Sequence, residues 1–154
     1  MLHRNCRAAA AVLVATALAD AIAPAGAEAI SPRALHIVGD SLPAPLAAGG
    51  DPARGRALLI ARENANCVLC HAVPDPQIPF AGDVGPSLAG VGARLSPAQI
   101  RLRVVDNTRV NPNTIMPSYY RIDGLDRVAP TYRGKPVLSA QEIEDIVAYL
   151  STLR

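Results

Sequence analysis

Cys67-Val68-Leu69-Cys70-His71 is the stretch that decides this chain. C-x-x-C-H is the attachment pattern of a c-type haem. Two thiols three residues apart lie on one side of a helical turn. There they suit thioether bonds to the two vinyl groups of one porphyrin, and the next residue projects an imidazole under the iron. A structural zinc site needs further ligands, and beyond this motif the nearby choices are His36 or a carboxylate. A thioredoxin-like dithiol needs a β-α-β setting, and no convincing strand pattern is present. A chance occurrence of the motif is the remaining rival.

Working outward, Asn111-Pro112-Asn113-Thr114-Ile115-Met116-Pro117 supplies the expected second axial ligand. A low-spin electron carrier completes its iron with Met or His. Proline on both sides of Ile115-Met116 disfavours helix and stiffens the loop. Met116 is the one Met downstream of the haem motif. As a plain hydrophobe it would be a core filler. His36, in a Pro-rich segment, is the competing ligand. A haem-ligating His is oriented by a hydrogen bond from its other ring nitrogen. Gly85-Pro86-Ser87-Leu88 offers the Pro86 carbonyl as that acceptor for His71. Arg101, Arg103 and Arg109 are candidates for the haem propionates, with a solvated face as the ordinary reading. Tyr119 and Tyr120 read equally as haem-edge packing or as interface.

The N-terminal residues 1–27 read as a secretory signal peptide: His3, Arg4 and Arg7, an apolar run from Ala8 to Ala19, then Ala25-Gly26-Ala27. Export would place the protein in the periplasm. Removing that segment leaves Cys67 and Cys70 as the thiols. Residues 28–50 are rich in Pro, Ala and Gly and read as an extended arm, a candidate to be ordered against a partner. Asp51-Pro52 opens a first helix running to about Arg62, since Asp caps and Pro suits the first helical position. Ser96-Pro97-Ala98-Gln99 and Ser139-Ala140-Gln141-Glu142 are capping boxes for two more helices. The last carries Ile143, Ile146, Val147 and Leu150 at helical spacing, with Glu144, Asp145 and Ser151 read as its solvent face. Gly55 and Tyr149 are expected to meet where the first and last helices cross. The fold class is therefore mostly α, three to four helices with long loops around one covalently bound haem.

Composition agrees. The 154 residues include one Phe, four Tyr, no Trp, fourteen Pro and eleven Gly, and the net charge is only +2. That excludes a solvated disordered chain and gives no basic patch for nucleic acid. With so few bulky side chains, the porphyrin is expected to be the centre of the core, and the haem-free chain to fold poorly.

Several stretches together resemble the SoxX family, the monohaem subunit of the SoxAX cytochrome of periplasmic sulfur oxidation. They are Gly50-Asp51-Pro52-Ala53-Arg54-Gly55, the haem motif and the run from Gly82 to Gly92. More specific are Asn111 to Tyr120, with its Met-Pro-x-Tyr-Tyr, and Val128 to Ser139, with its Ala-Pro-x-Tyr-x-Gly-Lys-Pro. The resemblance implies a cytochrome c domain over residues 51–154. It implies haem c held by Cys67 and Cys70, with His71 and Met116 on the iron. It also implies SoxA as partner, the sulfur chemistry residing on SoxA, and no catalytic residue in this chain. Electrons released when thiosulfate is coupled to the carrier cysteine of SoxYZ would pass through this haem to a small cytochrome c. No membrane contact is expected after signal cleavage. The alternatives are a free-standing periplasmic class I cytochrome c carrier, and a haem enzyme or gas sensor with an open iron.

Overall fold

The computed structural model describes residues 35–154. The expected signal peptide, and the expected arm up to residue 34, lie outside them. Four α-helices occur among the described residues: α1 Pro52–Ile60, α2 Val91–Arg94, α3 Pro97–Asp106 and α4 Ala140–Thr152. A single antiparallel bridge, Val38 to Ser41, is the nearest approach to a strand among them. No helix among the described residues is long and apolar enough to cross a membrane.

The helix starts follow their capping residues. The Asp51 carboxylate accepts from the N–H groups of Ala53 and Arg54 at 2.8 and 2.9 Å. Ser96 with Gln99 opens α3, and Ser139 with Glu142 opens α4, each as a reciprocal capping box. The α1 helix stops at Ile60, short of Arg62, where Ala61 turns to extended backbone. The one-turn α2 went unread in the sequence. It is four residues long and starts at Gly90 in the left-handed region, φ 66°.

The core is built on α4. Ile143, Ile146, Val147 and Leu150 are buried, together with Leu59 of α1 and Ile100, Leu102, Val104 and Val105 of α3. At the crossing of α1 and α4, Gly55 lies so close that a Cβ there would overlap the Asp145 carbonyl and come within 2.9 Å of the Tyr149 Cβ.

The expected solvent face of α4 is a correction. Glu144 and Asp145 are buried, at 5% and 2% exposure. The sequence pattern could not show what covers them, because both partners are remote in the chain. Arg101 of α3 grips Glu144 through two nitrogens at 2.7 and 2.9 Å, and its third nitrogen donates to the Leu42 carbonyl at 2.9 Å. The Leu46 N–H donates to the same Glu144 at 2.9 Å. Asp145 accepts from the Asp51 N–H at 2.8 Å and from Arg54 at 2.7 and 2.8 Å. Residues 35–50 therefore pack on this chain's own helices. Leu42 is fully buried, its N–H donates to the Ala98 carbonyl at 3.0 Å, and Asp40 pairs with Arg103 at 3.2 Å.

Candidate haem site

The haem motif sits between α1 and a loop that covers it. Cys67–Leu69 form a single 3₁₀ turn, entered at Asn66 with φ 43°. The His71 N–H donates to the Cys67 carbonyl at 2.9 Å, which closes the turn. Residues 82–88 then lie along the motif. The N–H groups of Gly82, Gly85 and Leu88 donate to the carbonyls of Val68, Cys70 and Ala72 at 2.8, 2.7 and 2.8 Å. Gly85 is needed for that approach, since a Cβ there would overlap the His71 ring. His71 Nδ1 is 2.7 Å from the Pro86 carbonyl oxygen. That carbonyl has no other role for the ring than acceptor, so Nδ1 carries the proton and Nε2 is the free nitrogen.

The second half of the site is the loop between α3 and residue 120. Its backbone has no helix from Asn111 to Pro117. Thr114 Oγ1 accepts from the Met116 N–H at 3.1 Å and from the Asn107 side chain at 2.8 Å. The chain returns along the end of α3, where the N–H groups of Tyr119 and Tyr120 donate to the carbonyls of Val104 and Val105 at 3.4 and 3.3 Å.

These two halves face each other. His71 and Met116 line three cavities in common, of about 360, 380 and 40 Å³. Cys67, Cys70 and Pro86 line the first of them. Leu88, Val104 and Leu150 line both the second and the third. Cys67 and Cys70 are half-buried thiols, and burial pushes the Cys67 pKa up to about 11. A thiol held protonated in this way is a poor spontaneous nucleophile.

Other side chains separate into roles that the sequence left open. Tyr119 lines the first and third cavities and donates to the Ala65 carbonyl at 3.0 Å. Tyr120 is buried and lines none of the three. Arg103 lines the second cavity, as does Arg94, whose guanidinium is held by the Ala89 and Ser87 carbonyls. Arg101 is committed to Glu144 and lines none of the cavities, and Arg109 pairs with Asp106 at 3.4 Å. His36 is exposed and lines none of the three cavities.

A family profile described as Cytochrome c matches residues 52–154. The chain belongs to the cytochrome c family. Among solved structures it is similar to a chain in the crystal structure of SoxXA from P. pantotrophus. The identity is 34% and the TM-score 0.74, over 80% of this chain and 97% of that one. No curated protein matches it. The mostly helical cytochrome c fold and the resemblance to SoxX read from the sequence both stand. Membership brings one covalently bound haem c and electron transfer as its chemistry. The residues present fit that group: two adjacent thiols at the cavity wall, an imidazole with its Nδ1 already engaged, and an apolar lining from α2, α3 and α4.

Proposed function

We propose that the chain is the monohaem electron-transfer subunit of a periplasmic SoxAX complex. In this reading Cys67 and Cys70 hold the haem, His71 and Met116 are its axial ligands, and the Pro86 carbonyl orients His71. The carrying observation is that His71 and Met116, forty-five positions apart in the sequence, line the same three cavities while both motif cysteines line the first. When bound, the haem supplies one-electron transfer at a potential raised by Met ligation.

The chain's own residues shape that role. With His71 and Met116 both holding the iron, no position would be open to substrate, and the chemistry supplied would be electron transfer instead of sulfur transformation. The Pro86 bond to Nδ1 increases the electron-donating character of the ring. Leu88, Val104 and Leu150 give the site an apolar lining, which would limit reorganisation on electron transfer. Val84 and Ile115 rim the first cavity at 64% and 81% exposure. Exposed apolar side chains beside the site suit a protein partner, and SoxA is the partner this reading assigns. Thiosulfate coupled to the SoxYZ carrier cysteine supplies the electrons through SoxA, and a small cytochrome c takes them. The segment 1–27 serves as the export signal.

The test has two parts. Met116→Ala in the exported holoprotein is expected to abolish the thioether-to-ferric-iron charge-transfer band and to open the iron to cyanide. An unchanged spectrum rejects Met116 and turns attention to His36→Ala. Gel filtration of the wild-type protein with a candidate SoxA is expected to give a stable heterodimer. Separate elution favours the free-standing carrier.

A further inference from the structure

The strongest unassigned feature is a buried carboxylate at the end of α3. Asp106 is 2% exposed and belongs to none of the groups described above as facing the cavities. One of its oxygens, Oδ1, accepts from Thr108 Oγ1 at 2.6 Å, from the Thr108 N–H at 3.2 Å and from Ser118 Oγ at 2.6 Å. Its other oxygen faces Arg121 at 3.2 Å and Arg109 at 3.4 Å. Arg121 also donates to Ser118 Oγ at 3.4 Å.

Thr108 and Ser118 bracket the loop that carries Met116. A single carboxylate oxygen therefore pins both ends of that loop, and the two guanidinium groups neutralise the charge this requires. Within the loop, Thr114 fixes the Met116 N–H and is itself fixed by Asn107. The Met116 backbone is thus fixed by two separate sets of bonds: the Thr114–Asn107 pair within the loop, and Asp106 at the loop's two ends, through Thr108 and through Ser118 two residues beyond Met116. A buried carboxylate is costly unless partnered; Oδ2 meets the two guanidinium groups as ion pairs without a hydrogen bond, while Oδ1 is spent on a loop with few apolar anchors: Asn111, Pro112, Asn113, Ile115 and Pro117 are all exposed.

We propose that Asp106 is a positioning residue for the Met116 thioether: by closing the Thr108–Ser118 loop it sets the reach of the sulfur toward the iron. This rests on the reading of Met116 as axial ligand. In consequence Asp106 governs how firmly the sixth position is held, without touching the haem.

The experiment uses the full exported holoprotein and compares wild type, Asp106→Ala, Asp106→Asn and Met116→Ala. The readouts are the thioether-to-ferric-iron band, the rate of cyanide binding, the midpoint potential and far-UV circular dichroism. Asp106→Ala is expected to keep its helical signal and haem. It is expected to weaken the band strongly and to bind cyanide about tenfold faster or more, since even one of the three charge-assisted hydrogen bonds it loses is enough for a factor of about ten. Asp106→Asn retains the oxygen that serves Thr108 and Ser118, and is expected to restore most of the band. If Asp106→Ala keeps the wild-type band, cyanide rate and potential while Met116→Ala loses the band, the positioning role is overturned and the axial reading survives. If the band persists in Met116→Ala, the axial reading has failed instead, and the proposal with it. Should Asp106→Ala not fold, Thr108→Val combined with Ser118→Ala removes the two hydroxyl bonds to Asp106, with the weak Arg121 bond to Ser118, and leaves the Thr108 N–H bond and both ion pairs in place. The same loosening is then expected, and wild-type behaviour of that pair overturns the proposal.

Discussion

Asp145 shows what one side chain contributes here. Its carboxylate joins the start of α1 to α4 by accepting from the Asp51 N–H, Arg54 and Gln141. The Arg54 hydrogen bond, chiefly, lowers its pKa from the ordinary 3.8 to about 2, against the opposing effect of burial. The folded protein thus prefers the ionised form more than the unfolded chain does. The resulting stability is fully present above the unfolded value and disappears as pH falls through the folded one. Asp145→Asn is therefore expected to lower the urea midpoint of the holoprotein at pH 7, and the gap between variant and parent is expected to close between about pH 4 and 2. A gap that stays constant across that range would show that the charge is not what holds α1. At this scale the site chemistry was legible in the sequence because covalent attachment demands a contiguous motif. Asp106 and Asp145 were not, because each is defined by partners that only the fold supplies. Nothing in Val104-Val105-Asp106-Asn107 distinguishes a buried anchor from a solvated helix end.

At the scale of elements, the decisive contact is the crossing of α1 and α4. Gly55 costs α1 about 1 kcal/mol of intrinsic helix preference relative to Ala, and close packing on Asp145 and Tyr149 offsets it. Gly55→Ala would gain that preference yet place a methyl group against backbone that cannot move aside. The net effect is expected to be a destabilisation of about 1–3 kcal/mol, read as a lower thermal midpoint with the haem spectrum retained below it. A stability equal to or above wild type would show that the helices separate freely. The three long-lived helix signals, Asp51-Pro52, Ser96-Pro97 and Ser139-Ala140, were readable because capping is local chemistry. The burial of the polar side of α4 was not, since the periodicity of Ile143, Ile146, Val147 and Leu150 marks one apolar stripe only. A second covered face built from Arg101, Arg54 and the 35–50 segment leaves no mark within the helix itself.

For the whole molecule, scarcity of aromatic side chains and the size of the cavities belong together. Four Tyr and one Phe are the only aromatic residues, and the Phe, Phe80, is 93% exposed. Two cavities of about 360 and 380 Å³ run between the haem motif, the Met116 loop and α2–α4. A covalently bound porphyrin joins those elements into one core. Cys67→Ser combined with Cys70→Ser is expected to give a chain with reduced helical circular dichroism and a broad, non-cooperative melt. Full helicity with a sharp melt would show that the protein core suffices alone.

The crossing of α1 and α4 also bears on the order of events during synthesis. The surface that α1 needs is on α4, and the Glu144 carboxylate that receives Leu46 and Arg101 lies 98 and 43 residues further along the chain. Until α4 has been synthesised, α1 lacks the helix it packs against, so the α1–α4 crossing forms later than the contacts of residues 40–42 with α3.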